Sequence, residues 1–408
     1  MGQLLFKNCQ LLDLHKSEVQ GGCYVLIENN LIREVSTKPI QSSKSIKFDL
    51  KGKVLMPGLI DAHVHVSLVT NDISKIAYLP KSYIAIKAGR ILEEMLQRGF
   101  TSVRDAGGAD YGLVEAINHG HINGPRLFIS GKAISQTSGH GDFRPRTTSE
   151  SPFCCGGGNL GIIADGISEV RKAVREQLRQ GANQIKVMAS GGVASPSDPI
   201  GTLQYSLEEL RAIVEEASNW NTYVMAHAYT PQAIERAVMC GVHSIEHANL
   251  IDAKTAQLVA DKGAYVIPTL ATYEMLSRFG TQLGLPTESI HKLTEVKDAG
   301  LKALALCKKA GVKIGHGSDL LGDMHPYQSE EFTLKANVLS AAECLYAATV
   351  TNAEMMGFTG KLGVIAPDAF ADLLVVDGNP LQDLTLLQNQ GKHLVAILKD
   401  GKFYKNQL

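Results

Sequence analysis

Between residues 57 and 360 this chain repeats one unit: a short apolar run followed by a stretch with helical spacing. Strand-like runs occupy 55–66, 101–106, 126–131, 184–190, 223–228, 243–248, 265–270 and 312–318. Apolar residues spaced for one helix face mark 83–98, 167–180, 207–219, 231–240, 253–262 and 289–310 between most of them. End signals agree with that division. Ser206 precedes Leu207-Glu208-Glu209, Thr230 precedes Pro231, and Gly181, Gly241, Gly263 and Gly311 follow helical stretches. Eight strands alternating with helices predict an α/β chain folded as a (β/α)8 TIM barrel. A doubly wound open sheet is the runner-up, but Pro57-Gly58-Leu59-Ile60-Asp61-Ala62 lacks the G-x-G-x-x-G fingerprint expected after its first strand.

The two ends use a different pattern. Leu4-Leu5-Phe6, Tyr24-Val25-Leu26-Ile27-Glu28 and Leu31-Ile32-Arg33-Glu34-Val35 read as short strands, with Gly21-Gly22 and Asn29-Asn30 as turns. Strand-like runs return at 371–377 and 394–398, bounded by Gly378-Asn379-Pro380 and Asp400-Gly401. The expectation is a small β-sandwich domain assembled from 1–56 plus 361–408, around a barrel domain of 57–360.

Composition narrows the function classes. Forty Lys+Arg against 41 Asp+Glu leave a formal net charge of −1, which argues against a dedicated nucleic-acid binder. The seven Cys form no C-x-x-C pair, so neither a disulfide framework nor a thiolate zinc site is indicated. A basic leader with an apolar core is not evident at the start, and no apolar run approaches the ~18 residues of a membrane helix. These features predict a soluble cytoplasmic protein without membrane partners.

In a barrel the chemistry lies at the C-terminal ends of the strands. The first strand there carries His63-Val64-His65, two imidazoles on one face because a strand alternates sides. The fourth places Lys186 among apolar neighbours, where a bare ammonium is costly. The fifth ends at His227, the sixth at His247, and the eighth leads to Asp319. Any one has an ordinary packing explanation, yet together at strand ends they point to a metal site of imidazole and carboxylate, which suits zinc. His316, three residues before Asp319, is expected on the opposite face as a packing neighbour. His243-Ser244-Ile245-Glu246-His247 also matches the H-x-x-E-H string of inverted zinc peptidases, but that chemistry needs a helix and this segment is β-compatible.

With these residues in view, the chain resembles the amidohydrolase superfamily. The resemblance rests on Pro57-Gly58-Leu59-Ile60-Asp61-Ala62-His63-Val64-His65, Lys186, His227, His247 and Asp319, and on the closing segment from Gly363 to Pro380. It spans essentially the whole chain. It implies a barrel with a β-sandwich and two divalent metal ions, with N6-carboxylated Lys186 as a bridging ligand. By that resemblance His63, His65 and Asp319 would hold one metal, and His227 and His247 the other. The single-metal deaminases and imidazolone hydrolases of the superfamily lack this Lys, so the binuclear branch is favoured. Relatives assemble as homo-oligomers, which implies the same here.

The implied reaction is hydrolysis of a C–N bond by a metal-bridging hydroxide, with Asp319 as general base and then acid. Thr137-Ser138-Gly139-His140-Gly141-Asp142 and Tyr229 resemble features of a branch that cleaves dipeptides or releases C-terminal residues. Tyr229 is expected to donate to the developing oxyanion and His140 to contact the carbonyl or carboxylate of a small peptide or N-acyl amino acid. A C-terminal Arg or Lys is slightly favoured, with Asp142, Asp198, Glu274 and Asp323 as candidate acidic partners. The alternatives are Xaa-Pro dipeptidase activity, hydrolysis of a cyclic amide as in imidazolonepropionase, and a non-catalytic scaffold. Cys154-Cys155-Gly156-Gly157-Gly158 reads as a loop.

Overall fold

The computed structural model describes residues 2–144, 160–195, 198–282 and 287–408, so the Cys154-Cys155 loop lies outside the described residues. Both ends of the chain meet in one eight-stranded sheet. Its order is Lys402–Asn406, Leu394–Lys399, Leu373–Val376, Val54–Pro57, Gln3–Asp13, Glu18–Glu28 and Leu31–Ser36, with Ser45–Asp49 also paired to Gln3–Asp13. Alternate residues such as Phe6, Val25, Ile27, Leu55, Leu373, Val375 and Leu398 build its core.

The apolar run 55–66 is two strands rather than the single one expected. Val54–Pro57 pairs antiparallel with Leu373–Val376, whereas Leu59–Val64 pairs parallel with Phe100–Asp105. Gly58 makes the change of sheet: a Cβ there would lie 2.1 Å from Thr101 Oγ1, so no other residue fits against the second strand without displacement.

Among the described residues the middle of the chain forms two parallel sheets. Leu59–Val64, Phe100–Asp105 and Arg126–Phe128 make one. Gly161–Ile163, Ala133–Ser135, Ile185–Met188, Val224–Ala228, Ser244–His247, Tyr265–Ile267 and Lys313–Ile314 make the other. The ladder between them is not continuous, but backbone bonds span both joins. The Asn183 N–H donates to the Ile129 carbonyl at 2.7 Å on one side. On the other, the Ala62 N–H donates to His316 and the Asp319 N–H to His63, each at 2.8 Å.

Two expected strands are shorter than their apolar runs. The third stops at Phe128, and after Gly131 (φ +66°) the chain starts a separate strand at Ala133. The eighth is only Lys313–Ile314. Beyond it Gly315 and Gly317 press so closely on Ile267 that a Cβ would come within 2.3 and 2.5 Å of that side chain.

Helices cover the outside. Leu207–Asn219 starts with a capping box between Ser206 and Glu209, and Pro231–Met239 starts with Thr230 as cap and Pro231 in the first turn. Ile185, Val187, Val224, Ala226, Ile245 and Val266 pack against Val174, Ile213, Ile234 and Val259 from these layers. The alternate residues of the same strands, Lys186 and Met188 among them, line a pocket on the inner side. Among the described residues no helix is long and apolar enough to cross a membrane.

Candidate active site

One pocket at the strand ends gathers His63, His65, His140, Lys186, His227, Tyr229, His247 and Asp319. A larger surface cleft of about 500 Å³, between Asp110 and Gly181, has no cluster of imidazoles or carboxylates among the described residues. The candidate metal-ligating side chains line the smaller one.

Two imidazole nitrogens converge on one carboxylate oxygen. Asp319 Oδ1 is 3.2 Å from His65 Nε2 and 3.4 Å from His63 Nε2, and Asp319 Oδ2 is 3.9 Å from His247 Nδ1. The candidate donor atoms of His63, His65 and Asp319 all lie within 4.8 Å of one another. The His227 and His247 rings approach to 4.6 Å between centroids, and His247 lies 5.0 Å from His63.

Each ring spends one nitrogen on a partner outside the His63–His65–Asp319 cluster. His63 Nδ1 bonds Glu246 Oε2 at 2.6 Å, His65 Nδ1 bonds the Gly107 carbonyl at 2.9 Å, and His247 Nδ1 bonds Thr269 Oγ1 at 2.7 Å. His227 is reversed: its Nε2 meets the Gly191 carbonyl at 3.1 Å, which frees Nδ1. His63 Nε2 is fully buried without a hydrogen-bond partner. A buried, orphaned lone pair beside a second imidazole and a carboxylate is the donor set a divalent cation takes.

The electrostatics agree. Burial first, then the Lys186 charge, holds His63 well below the usual histidine range, so its short contact with Glu246 is a hydrogen bond from a neutral ring. Burial likewise lowers His227 and His247. Burial opposes protonation of His65 too, but Asp319 and Asp105 outweigh it and raise its pKa. Burial alone would push the Asp319 carboxyl up; His63, His65 and Lys186 together hold it below the ordinary range. Lys186, 1% exposed, is lowered to about 8, chiefly by burial.

Backbone strain accompanies these positions. His247, Thr269 and Asp319 adopt φ of 76°, 46° and 54°, in the left-handed region that non-glycine residues rarely enter. At His247 the distortion has a visible effect. Glu246 and His247, neighbours in a strand, would normally face opposite ways, yet both reach His63.

Tyr229 is buried, with its hydroxyl 2.8 Å from that of Tyr273 and its ring against His227 and His247. His140 is buried rather than solvated. Its ring stacks on His227 at 4.2 Å and its Nδ1 lies 2.6 Å from Ser195 Oγ, which in turn bonds Asp198. Gly192 makes room for that ring, because a Cβ there would fall 2.0 Å from His140 Cε1.

The four candidate acidic partners do not line this pocket among its described residues. Asp142 is paired with Arg144, Asp198 serves Ser195 and His140, and Glu274 pairs with Arg278 and Lys297. Asp323 is exposed beside Asn71. The H-x-x-E-H reading is excluded: Ser244–His247 is a strand, and His243 Nε2 bonds the Met355 carbonyl away from the pocket. His316 packs between Phe100 and Phe332, at 5.8 and 4.3 Å between ring centroids.

Sequence reasoning missed the polar residues behind the pocket. Glu246 carries a buried Arg104, whose Nη2 lies 2.9 Å from Glu246 Oε1. Asp61 accepts from the backbone of both His63 and Ser318, at 3.0 and 3.2 Å, and so ties the first strand to the segment bearing Asp319. Only a charged residue inside an apolar strand run, visible for Arg104 and Asp61, could have flagged them.

Known proteins share this whole framework. The family model described as "Amidohydrolase family" matches residues 54–403. Ochratoxinase of Aspergillus niger is 36% identical over 367 residues, covering 86% of this chain and 76% of its own length. A crystal structure of an amidohydrolase superposes with a TM-score of 0.98 at 52% identity and 100% coverage of both chains. A prolidase complexed with N-methylphosphonate-L-proline superposes with a TM-score of 0.97 at 48% identity, over 99% of this chain and 100% of that one. A match over most of the length, to a chain whose buried imidazoles, lysine and aspartate meet in one pocket, makes this protein a member of the amidohydrolase family.

Proposed function

We propose that this chain is a metal-dependent amide hydrolase that releases the C-terminal residue of a dipeptide or N-acyl amino acid, working at the mouth of a (β/α)8 barrel. The observation that carries this reading is the meeting of five imidazoles, Lys186 and Asp319 in one buried pocket. The barrel is supported by the backbone bonds that join the two parallel sheets and by the likeness to the amidohydrolase and prolidase structures. His63, His65 and Asp319 would hold one cation and His227 and His247 another, with Lys186, as its carbamate, between them. Zinc suits this donor set. Such cations, when bound, lower the pKa of water towards neutrality and polarise a carbonyl.

The chain's own residues supply the rest. Asp319 takes a proton from the attacking water and returns it to the leaving nitrogen. Tyr229 donates its hydroxyl hydrogen to the scissile carbonyl oxygen as negative charge develops there. His140, braced by Ser195 and Asp198, contacts the substrate carbonyl or carboxylate. Tyr229→Phe is expected to lower kcat by about 10²-fold with little change in KM. Steady-state kinetics check this, and an unaltered kcat would remove Tyr229 from the mechanism.

The side-chain preference follows from the walls. Among the described residues the walls Leu68, Ile73, Phe143, Leu160, Val193 and Leu276 are apolar and offer a buried guanidinium or ammonium no carboxylate partner. That favours a neutral residue such as proline over the Arg or Lys expected from sequence, in keeping with the prolidase likeness. In a panel of Xaa-Pro, Xaa-Arg and Xaa-Lys dipeptides, kcat/KM is expected to be at least about 100-fold higher for Xaa-Pro, since leaving a charge buried and unpaired costs several kcal/mol. Preferential turnover of Xaa-Arg would reverse the side-chain assignment. No cleavage of any dipeptide or N-acyl amino acid would defeat the reading.

A further inference from the structure

The four imidazoles assigned to cations, His63, His65, His227 and His247, are not equivalent in what stands behind them. His65 donates to the Gly107 carbonyl at 2.9 Å, His247 faces Thr269 Oγ1 at 2.7 Å, and His227 faces the Gly191 carbonyl at 3.1 Å. All three partners are neutral. His63 instead meets a carboxylate, Glu246 Oε2, at 2.6 Å.

That carboxylate is itself locked in place. Arg104 donates from Nη2 to Glu246 Oε1 at 2.9 Å, from Nε to the Ala62 carbonyl at 2.7 Å, and from Nη1 to Ser244 Oγ at 3.1 Å. Ser244 Oγ also bonds Glu246 Oε1. Arg104, Ser244 and Glu246 are each 0% exposed. The guanidinium therefore ties the strand of His63 to the strand of His247, and the Glu246 carboxylate is aimed at one ring.

An anionic acceptor on one imidazole nitrogen fixes the tautomer and makes the other a stronger donor than a neutral acceptor does. The ring so treated is the one whose Nε2 is buried without a partner, 3.4 Å from Asp319 Oδ1.

We propose that Glu246, held by Arg104, is a positioning residue that makes the His63–His65–Asp319 half of the pocket the tighter of two unequal cation half-sites. The inference rests on the metal-dependent reading above, and it assigns an order of filling that the reading leaves open. The half with His63 fills first, and the half with His227 and His247 fills at higher concentration.

The test is a titration of the metal-stripped full chain with zinc(II) against a chromophoric chelator, in bicarbonate buffer. The wild type is expected to show two affinity classes at least about tenfold apart. The double variant Arg104→Met/Glu246→Gln removes both buried charges together. It is expected to weaken the first class by about 10–100-fold, the usual effect of losing such an outer partner, and the second by less than about threefold. Thr269→Val, which strips the neutral partner from His247, is expected to weaken the second class alone. With cobalt(II) in place of zinc, the absorption spectrum of the first equivalent should change in the double variant and stay unchanged in Thr269→Val. Three results overturn the proposal: a single class in the wild type, equal weakening of both classes in the double variant, or weakening of the first class by Thr269→Val. The last of these decides even where the double variant does not fold. A wild type that binds no zinc would instead sink the metal-dependent reading itself.

Discussion

Lys186→Met is expected to cut kcat/KM by at least about 10⁴-fold, because residues that act as one catalytic unit fail together, and to lower bound metal from about two per chain to one or fewer. The same substitution should make the metal-free protein more stable. Lys186 is 1% exposed, and its folded pKa, about 8, lies below its ordinary 10.5. Folding therefore opposes its protonation. At pH 7 both states carry the proton and the full penalty applies. As pH rises from about 8 to 10.5 the unfolded chain binds more protons, and stability increases until the penalty is gone. Methionine removes it at every pH, a gain on the order of 3 kcal/mol at neutrality. Elemental analysis, dipeptide kinetics and thermal unfolding of the stripped protein check the three parts. A variant that still turns over would return the chain to the single-metal imidazolone hydrolases or deaminases. The pH dependence also bears on activation. Only the neutral amine adds carbon dioxide, and at two pH units below its pKa about 1% of it is neutral. Activation of stripped enzyme by bicarbonate and zinc should therefore be slow at pH 6 and accelerate as pH rises through about 8.

Asp319→Asn is expected to lower kcat by about 10³-fold, within the 10²–10⁴ range of general acid–base catalysis, with KM changed far less. The amide keeps the shape of the side chain and loses the charge and the capacity to take a proton. Its Oδ1 lies 3.2 and 3.4 Å from His65 and His63, so the loss also strips His65 of the neighbour that raises its pKa. Steady-state kinetics on Xaa-Pro dipeptides measure the effect. Asparagine at wild-type kcat would move the proton-transfer role to another group.

The candidate pocket was legible because its residues violate the pattern around them. A lysine in Gln184-Ile185-Lys186-Val187-Met188, and imidazoles at the ends of apolar runs, stand out against strands that otherwise alternate with helices. The strand boundaries were not legible, because they depend on how closely distant segments approach. Gly58, Gly315 and Gly317 look like ordinary loop glycines until Thr101 and Ile267 are found against them. Nor could the strand period show that Glu246 and His247 both turn inward. That follows from a left-handed backbone at His247, which its side chain does not announce. The pairing of the candidate acidic partners was not legible for a related reason. Asp142, Asp198 and Glu274 read as free loop carboxylates in sequence, and each proves to have its own partner.

The antiparallel pairing of Val54–Pro57 with Leu373–Val376 joins segments some 300 residues apart. On a ribosome moving at 5–20 residues per second, the first of them emerges roughly 15–60 s before the second exists. Throughout that interval Val54, Leu55 and Met56, all buried in the finished molecule, present a bare strand edge to whatever else is in the compartment. Chaperone demand should therefore fall once Leu373–Val376 has emerged to cover that edge.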